Sequence, residues 1–193
     1  MEYILIILAS IFVNNIVLVQ FLGICPFLGV SNSIKTAIGM GAAVIFVMVL
    51  STVVTWLLYT YVLMTFDIQF MQTITYILVI AVLVQLVEII LKKSLPSLHQ
   101  ALGVFLPLIS TNCTILGVAI LVIQKDMNLF TSVIFAIGMS LGFTLALIIF
   151  AGIREHIEKM PIPKSMRGIP ITLITAGILA LAFMGFAGMI KTI

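Results

Sequence analysis

Six stretches of about 20 or more mostly apolar residues follow one another along the chain, and no other feature limits its folding so strongly. They run near Tyr3–Ile24, Thr36–Met64, Phe70–Leu91, Leu98–Ile123, Leu129–Ile153 and Gly168–Ile190, each set off by charge, proline or a polar cluster. A bilayer core about 30 Å thick is crossed by a helix of about this length. The stretches are apolar all the way round, as lipid-exposed or bundle-buried helices require. Open strands would leave backbone groups unpaired in lipid. The expected fold is therefore an all-α integral membrane protein with six transmembrane helices, forming a single membrane domain over residues 1–193. Composition agrees, with 63% hydrophobic and only 8% charged residues, against about 25% charged in a soluble domain. This balance excludes a free cytosolic enzyme, a nucleic-acid binder and a secreted disulfide scaffold. The first stretch does not read as a removable signal, because Glu2 stands where a basic start is needed. Leu22-Gly23-Ile24-Cys25 is a poor lipoprotein box, since Ile24 is too bulky for its position.

The net charge of +3 has a topological reading. With the N-terminus outside, the inner loops hold Lys35, Lys92, Lys93, Arg154, Lys159, Lys164 and Arg167, and the outer side keeps only Lys125 and Lys191. Cations concentrate on the cytoplasmic side of membrane proteins, so both termini are expected to face away from the cytoplasm. In the connection from Arg154 to Arg167, Arg154/Glu158 and Glu155/Lys159 have the spacing of helical ion pairs, which predicts a short helical extension. Such a loop is ordinarily a solvated face, and a docking surface for a cytoplasmic partner is the sharper alternative.

Laying Cys25 on Cys113 aligns Cys25-Pro26-Phe27-Leu28-Gly29-Val30 with Cys113-Thr114-Ile115-Leu116-Gly117-Val118, matching cysteine, leucine, glycine and valine. The chain has only these 2 cysteines. Each falls in or just after the first span of a three-span half, so the halves, about residues 1–92 and 93–193, read as two inverted three-helix repeats. Within a helix from Leu98 to Ile123, Cys113 would lie about 15–22 Å from either end, near mid-membrane. Cys25 would lie about 15 Å from the inner face marked by Lys35. The stretch from Tyr3 to Ile34 is too long for one straight crossing, so helices 1 and 4 are expected to be broken. Pro26 suits the first turn of a new helix. Ser110, Thr111 and Asn112 are helix-capping types, with Pro107 upstream as a breaker. Both cysteines thus read as sitting at the starts of half-helices, where free N–H groups and the helix dipole favour thiolate, the metal-binding form.

A buried free cysteine is often only a small hydrophobe. The pairing by repeat and by depth argues here for a metal centre, while a disulfide so deep would have little to staple. Zinc wants four ligands, and no histidine or carboxylate belongs to this site. A two-iron cluster also takes four thiolates, two more than this chain has, which would require a partner subunit. Haem is disfavoured, because His99 and His156 lie in loops or at span ends. Glu88 and Lys92 read as an ion pair at a span boundary. Asn14, Asn15 and Gln20 are costly in lipid and should face protein or water, as helix-interface groups or as an ion path. Gly138-xxx-Gly142 and Gly39-xxx-Ala43 allow close helix approach. Trp56, Tyr59 and Tyr61 fit an interfacial belt. A metal-free inverted-repeat secondary transporter and a structural scaffold remain alternatives. The absence of a charged residue at mid-span weakens the first.

Three segments carry a family resemblance: Phe12-Val13-Asn14-Asn15-Ile16-Val17-Leu18, the run Gln20-Phe21-Leu22-Gly23-Ile24-Cys25-Pro26-Phe27-Leu28-Gly29-Val30, and Leu106-Pro107-Leu108-Ile109-Ser110-Thr111-Asn112-Cys113. Across essentially its whole length the chain resembles the NqrDE/RnfAE family, above all its RnfA/RsxA branch. These are small membrane subunits of Rnf electron-transport complexes and of the sodium-translocating NADH:quinone reductase. The resemblance implies that two homologous six-span subunits of opposite topology each give two cysteines to one intramembrane [2Fe-2S] cluster. Carried over, Cys25 and Cys113 are this chain's metal ligands, with Gly23, Pro26, Thr111, Asn112 and Thr114 as the cluster environment. It also implies an electron relay within a ferredoxin:NAD+ oxidoreductase coupled to Na+ or H+ translocation, in a bacterial cytoplasmic membrane. No catalytic residues are implied in this chain itself. Its implied partners are the RnfE-like homologue and the other Rnf subunits (B, C, D, G), with flavins only on other subunits.

Overall fold

The computed structural model describes residues 6–65, 69–94, 106–161, 163 and 166–185, and every regular element among them is helical. Residues 6–8 are α-helical and run into a π-helical turn, Ala9–Val13. The chain then leaves helical geometry until α1, Ile24–Val30. α2, Ile34–Leu58, continues into a π turn over Tyr59–Leu63. α3 is Gln72–Ser94, α4 the short Leu106–Ser110, α5 Cys113–Gln124, α6 Leu129–Ile157 and α7 Ile169–Met184. Four segments among the described residues are long and apolar enough to cross a membrane: Ile34–Leu63, Gln72–Ile90, Pro107–Gln124 and Leu129–Ile157. Ile169–Met184 is apolar but shorter. The expected first, fourth and sixth spans extend into residues 3–5, 98–105 and 186–190, which lie outside the described residues.

The most extensive packing joins α2 to α6, with α5 against α2 and the first π turn against α6. Small residues make this closeness possible. A side chain on Gly41 would run into Thr144, and one on Gly142 would meet Ser10 O at 3.1 Å and Ile11 Cα at 3.2 Å. The Gly138/Gly142 spacing thus seats residues 7–15 on α6. On α2 the close approach is made by Gly41, inside the Gly39-xxx-Ala43 frame. Tyr76, Phe143, Phe150, Met40 and Met48 fill the interior. Long hydrophobics on the outer faces of α3 and α7, such as Ile89 and Leu181, stay exposed, as a lipid environment demands.

Two long-range contacts fix which ends lie together. Arg154, near the end of α6, donates from Nη1 to Leu28 O at 2.9 Å and to Ser31 Oγ at 3.0 Å, at the end of α1. Trp56 Nε1, near the end of α2, donates to Met127 O at 3.0 Å, just before α6 begins. α2 and α6 therefore run antiparallel. The short helical extension expected at Arg154 exists, since α6 continues to Ile157.

Candidate functional site

The break before α1 is organised by Asn15, which is completely buried. Its Oδ1 accepts from Val17 N at 3.1 Å and Leu18 N at 3.3 Å, holding a turn where the helix stops. Its Nδ2 donates to Ile11 O at 3.1 Å and, across to α6, to Gly142 O at 2.9 Å. One amide thereby satisfies backbone groups that the broken helix would otherwise strand in an apolar interior. Asn14 and Gln20 are both exposed. Asn15 is thus the helix-interface residue of the three. Phe21 adopts φ 56° and Gly23 φ 80°, and these reversals turn the chain into α1.

α1 starts at Gly23, its N-cap, so Ile24, Cys25 and Pro26 form the first turn. The first bond back into the helix runs from Phe27 N to Gly23 O at 3.2 Å. Pro26 has no N–H to leave unpaired in that turn. α1 packs on α6 through Phe27 and Phe150, stacked with ring centroids 4.3 Å apart.

In the second half the chain breaks at Thr111–Asn112, and Asn112 is the N-cap of α5, its side chain accepting from Thr114 N at 3.0 Å. Cys113 is the first residue of that helix. Ser110 and Thr111 do not cap it, for both hydroxyls donate back to Pro107 O, at 2.9 and 2.8 Å. Pro107 is the second residue of the α4 turn, so the interruption lies after α4 and not at the proline itself.

The two helix starts meet. Gly23 N donates to Cys113 Sγ at 2.9 Å. Gly23 is so close to the α5 start that an added side chain would overlap Thr114 Oγ1 and meet Phe143 at 3.0 Å and Asn112 Oδ1 at 3.3 Å. Cys25 follows two residues later, which keeps its Cα within about 7 Å of Gly23. From this meeting point α1 and α5 run to opposite ends of the molecule, over about 10 Å and about 18 Å. Together they come close to the thickness of a hydrocarbon core, about 30 Å.

Cys25 is exposed and Cys113 half-buried, both as free thiols. Among the described residues no three of His, Cys, Asp or Glu come together, so those residues do not by themselves surround a metal ion. The donor set nevertheless suits a shared thiolate-bound metal group. One sulfur already accepts a backbone N–H. Asn112 Nδ2 and Thr114 Oγ1 are buried here with no partner among the described residues, so polar atoms beside the cysteine remain free to meet such a group.

Sequence reasoning locates the cysteines and their caps but misses how the halves hold each other. A side chain on Gly117 would meet Leu22 Cδ1 at 2.8 Å, and one on Gly29 would meet Leu108 Cδ1 at 3.7 Å. In each half, then, the glycine four residues after the cysteine receives a leucine that precedes the other half's cysteine. The matched Cys-x-x-Leu-Gly-Val pattern holds that signal, because glycine is among its identities.

Known proteins give this arrangement a context. Residues 3–190 match the family described as Rnf-Nqr subunit, membrane protein. The chain is 56% identical over 186 residues, 96% of each chain, to the A subunit of the ion-translocating oxidoreductase complex of Syntrophotalea carbinolica. It is 54% identical over 189 residues, 98% of each, to the A subunit of the Na(+)-translocating ferredoxin:NAD(+) oxidoreductase complex of Acetobacterium woodii. With the corresponding ion-translocating oxidoreductase protein of Alcanivorax borkumensis it shares 51% over 191 residues, again 98% of each. Likeness at this level over nearly the full length means that the chain belongs to the Rnf-Nqr family of membrane subunits.

Proposed function

We propose that the chain is the membrane-embedded electron-relay subunit of an ion-translocating ferredoxin:NAD+ oxidoreductase complex. In this reading Cys25 and Cys113 supply two of the four thiolates of a [2Fe-2S] cluster, and a homologous partner supplies the others. Such a cluster takes up and releases one electron at a time. The chain's own residues do the rest. Gly23 N–H and the first turns of α1 and α5 stabilise sulfur charge in a low-dielectric layer. Asn112 fixes the start of α5 and with it the direction of Cys113. Phe27, Phe143 and Phe150, all buried, keep water from the inner side of the site. Cys25 is exposed, which leaves its sulfur open to a partner. The carrying observation is the Gly23 N–H bond to Cys113 Sγ, which couples the two cysteine-bearing helix starts.

The six-span, inverted-repeat organisation belongs to the same reading. It is supported by the antiparallel α2 and α6, second spans of their halves, and by the reciprocal leucine–glycine contacts. The relay would be coupled to Na+ or H+ translocation in a bacterial cytoplasmic membrane, with flavins carried by other subunits and both termini outside.

Co-purification with the partner, followed by iron analysis and EPR of the reduced preparation, tests the proposal. About two irons per heterodimer and a two-iron signal are expected. Both should vanish in Cys25→Ser/Cys113→Ser while the two chains still associate. Full iron and an unchanged signal in that double variant would reject the ligand assignment.

A further inference from the structure

α3 presents two unlike faces. Tyr76, Ile80 and Val84 recur at every fourth position and are buried against the rest of the chain. On the opposite face Ile74, Leu78, Val82 and Ile89 are all exposed. Gln85 lies among them and is exposed as well. From Leu78 to Val82, Gln85 and Ile89 the steps alternate between four and three, the seam along which one helix packs on another. An apolar face alone would suit lipid equally well, and Gln85 is what breaks that equivalence. Its side chain makes no hydrogen bond among the described residues.

Depth and direction set what Gln85 requires. It lies inside the apolar span Gln72–Ile90, and Lys92 and Lys93 follow that span at the nearer membrane surface. Along the helix Gln85 stands about 11 Å before Lys92. The Cα–Cβ bond of a helical residue tilts toward the helix N-terminus. In α3 that end is Gln72, so the Gln85 amide extends away from the lysines and toward the membrane centre. It cannot reach back to water at their level as a long basic side chain does. An amide held unpaired in hydrocarbon is costly.

We propose that this face of α3 docks a transmembrane helix of another membrane subunit, which presents a hydrogen-bonding side chain (Ser, Thr, Asn or Gln) to Gln85. The Gln85 amide offers two N–H donors and a carbonyl acceptor, so each of those four can pair with it. Acyl chains offer it nothing, whereas polar side chains bond in this way between membrane helices. Leu78 and Val82 on one side of Gln85 and Ile89 on the other supply the apolar contact that fixes the register. The inference rests on the complex of the proposed function for its partner, but not on the cysteines as cluster ligands.

The test uses the complex in its membrane, with photoreactive benzoylphenylalanine in place of Val82 or Ile89. Irradiation and purification should yield one product joining this chain to one other subunit of the complex, identified by its peptide masses. Gln85→Leu should lower retention of that subunit through detergent purification about fivefold, and Gln85→Asn should lower it less. Were the face turned to lipid, leucine would be the better residue there and retention would not fall. Gln85 is exposed, so its variants keep the fold, and gel filtration checks this. A cross-link only to lipid, within this chain or to a second copy of it, or undiminished retention in Gln85→Leu, would overturn the proposal. The expected cross-link should persist in Cys25→Ser/Cys113→Ser, whose iron content tests the ligand assignment separately.

Discussion

Gly23 has φ 80°, and a methyl group there would overlap the Thr114 hydroxyl and press on Phe143. The left-handed backbone costs a non-glycine residue about 1–2 kcal/mol. Overpacking adds about 1–3 kcal/mol. Gly23→Ala should therefore destabilise the protein by about 2–5 kcal/mol in a denaturant titration in detergent. By moving the N–H off Cys113 Sγ it should also lower the iron content of the co-purified heterodimer. Asn15 poses a separable case. Truncating it to alanine strands Val17 N and Leu18 N in a buried setting, at about 1–3 kcal/mol for each group left unmet. Asn15→Ala should thus cost at least about 2 kcal/mol, whereas Asn14→Ala and Gln20→Ala, at less covered sites, should shift the midpoint little. The sequence singles out all three as polar groups needing a partner, since each is costly in lipid. It cannot say which finds one, because the acceptor at Gly142 lies 127 positions away and only the packed fold brings it near.

Glycines on α6 separate two roles that look alike in sequence. A side chain added at Gly142 would meet backbone of the broken segment at 3.1 and 3.2 Å, while nothing lies within 4 Å of one added at Gly152. Gly142→Ala should push residues 10–15 off the helix and cost about 1–3 kcal/mol. Gly152→Ala, freed of that contact, should be neutral or stabilise by up to about 1 kcal/mol through helix propensity. Thermal unfolding of the two variants in the same detergent checks the contrast, and equal losses would mean that α6 does not seat the segment through Gly142. The long apolar helices are legible because length and hydrophobicity alone specify them. The interruptions are legible only in outline. Ser110, Thr111 and Asn112 are all capping types, and which one caps depends on where the Pro107 carbonyl lies, since it draws the first two hydroxyls away. By sequence Arg154 is a loop cation with a neighbouring glutamate. Its place at the end of α1 arises from the antiparallel arrangement, to which local spacing is blind.

Across the whole molecule, two contacts assign ends to faces. Trp56 to Met127 joins the end of α2 to the start of α6 at one face, and Arg154 to Leu28 and Ser31 joins the ends of α1 and α6 at the other. The second face carries the described cations Lys35, Arg154, Lys159 and Arg167, and the first carries Lys125, over the Phe135 ring at 5.6 Å, beside Asp126. Translocating several cations against the membrane potential is unfavourable, so the Arg154 face should be cytoplasmic. In a Cys25→Ser/Cys113→Ser background, Asp126→Cys and Lys159→Cys place one thiol in each exposed loop. A membrane-impermeant maleimide applied to intact spheroplasts should label the thiol at position 126 and leave that at position 159 untouched until the membrane is permeabilised. The reverse pattern would invert the topology and set the charge bias aside, and labelling of both in intact spheroplasts would break the assignment of the two loops to opposite faces. Since α1 and α5 leave their meeting point toward these two faces, the same experiment fixes the sense in which the cysteine pair divides the membrane. With position 126 outside, the helix that starts at Cys113 runs to the outer face and the helix that starts after Gly23 runs to the cytoplasmic face.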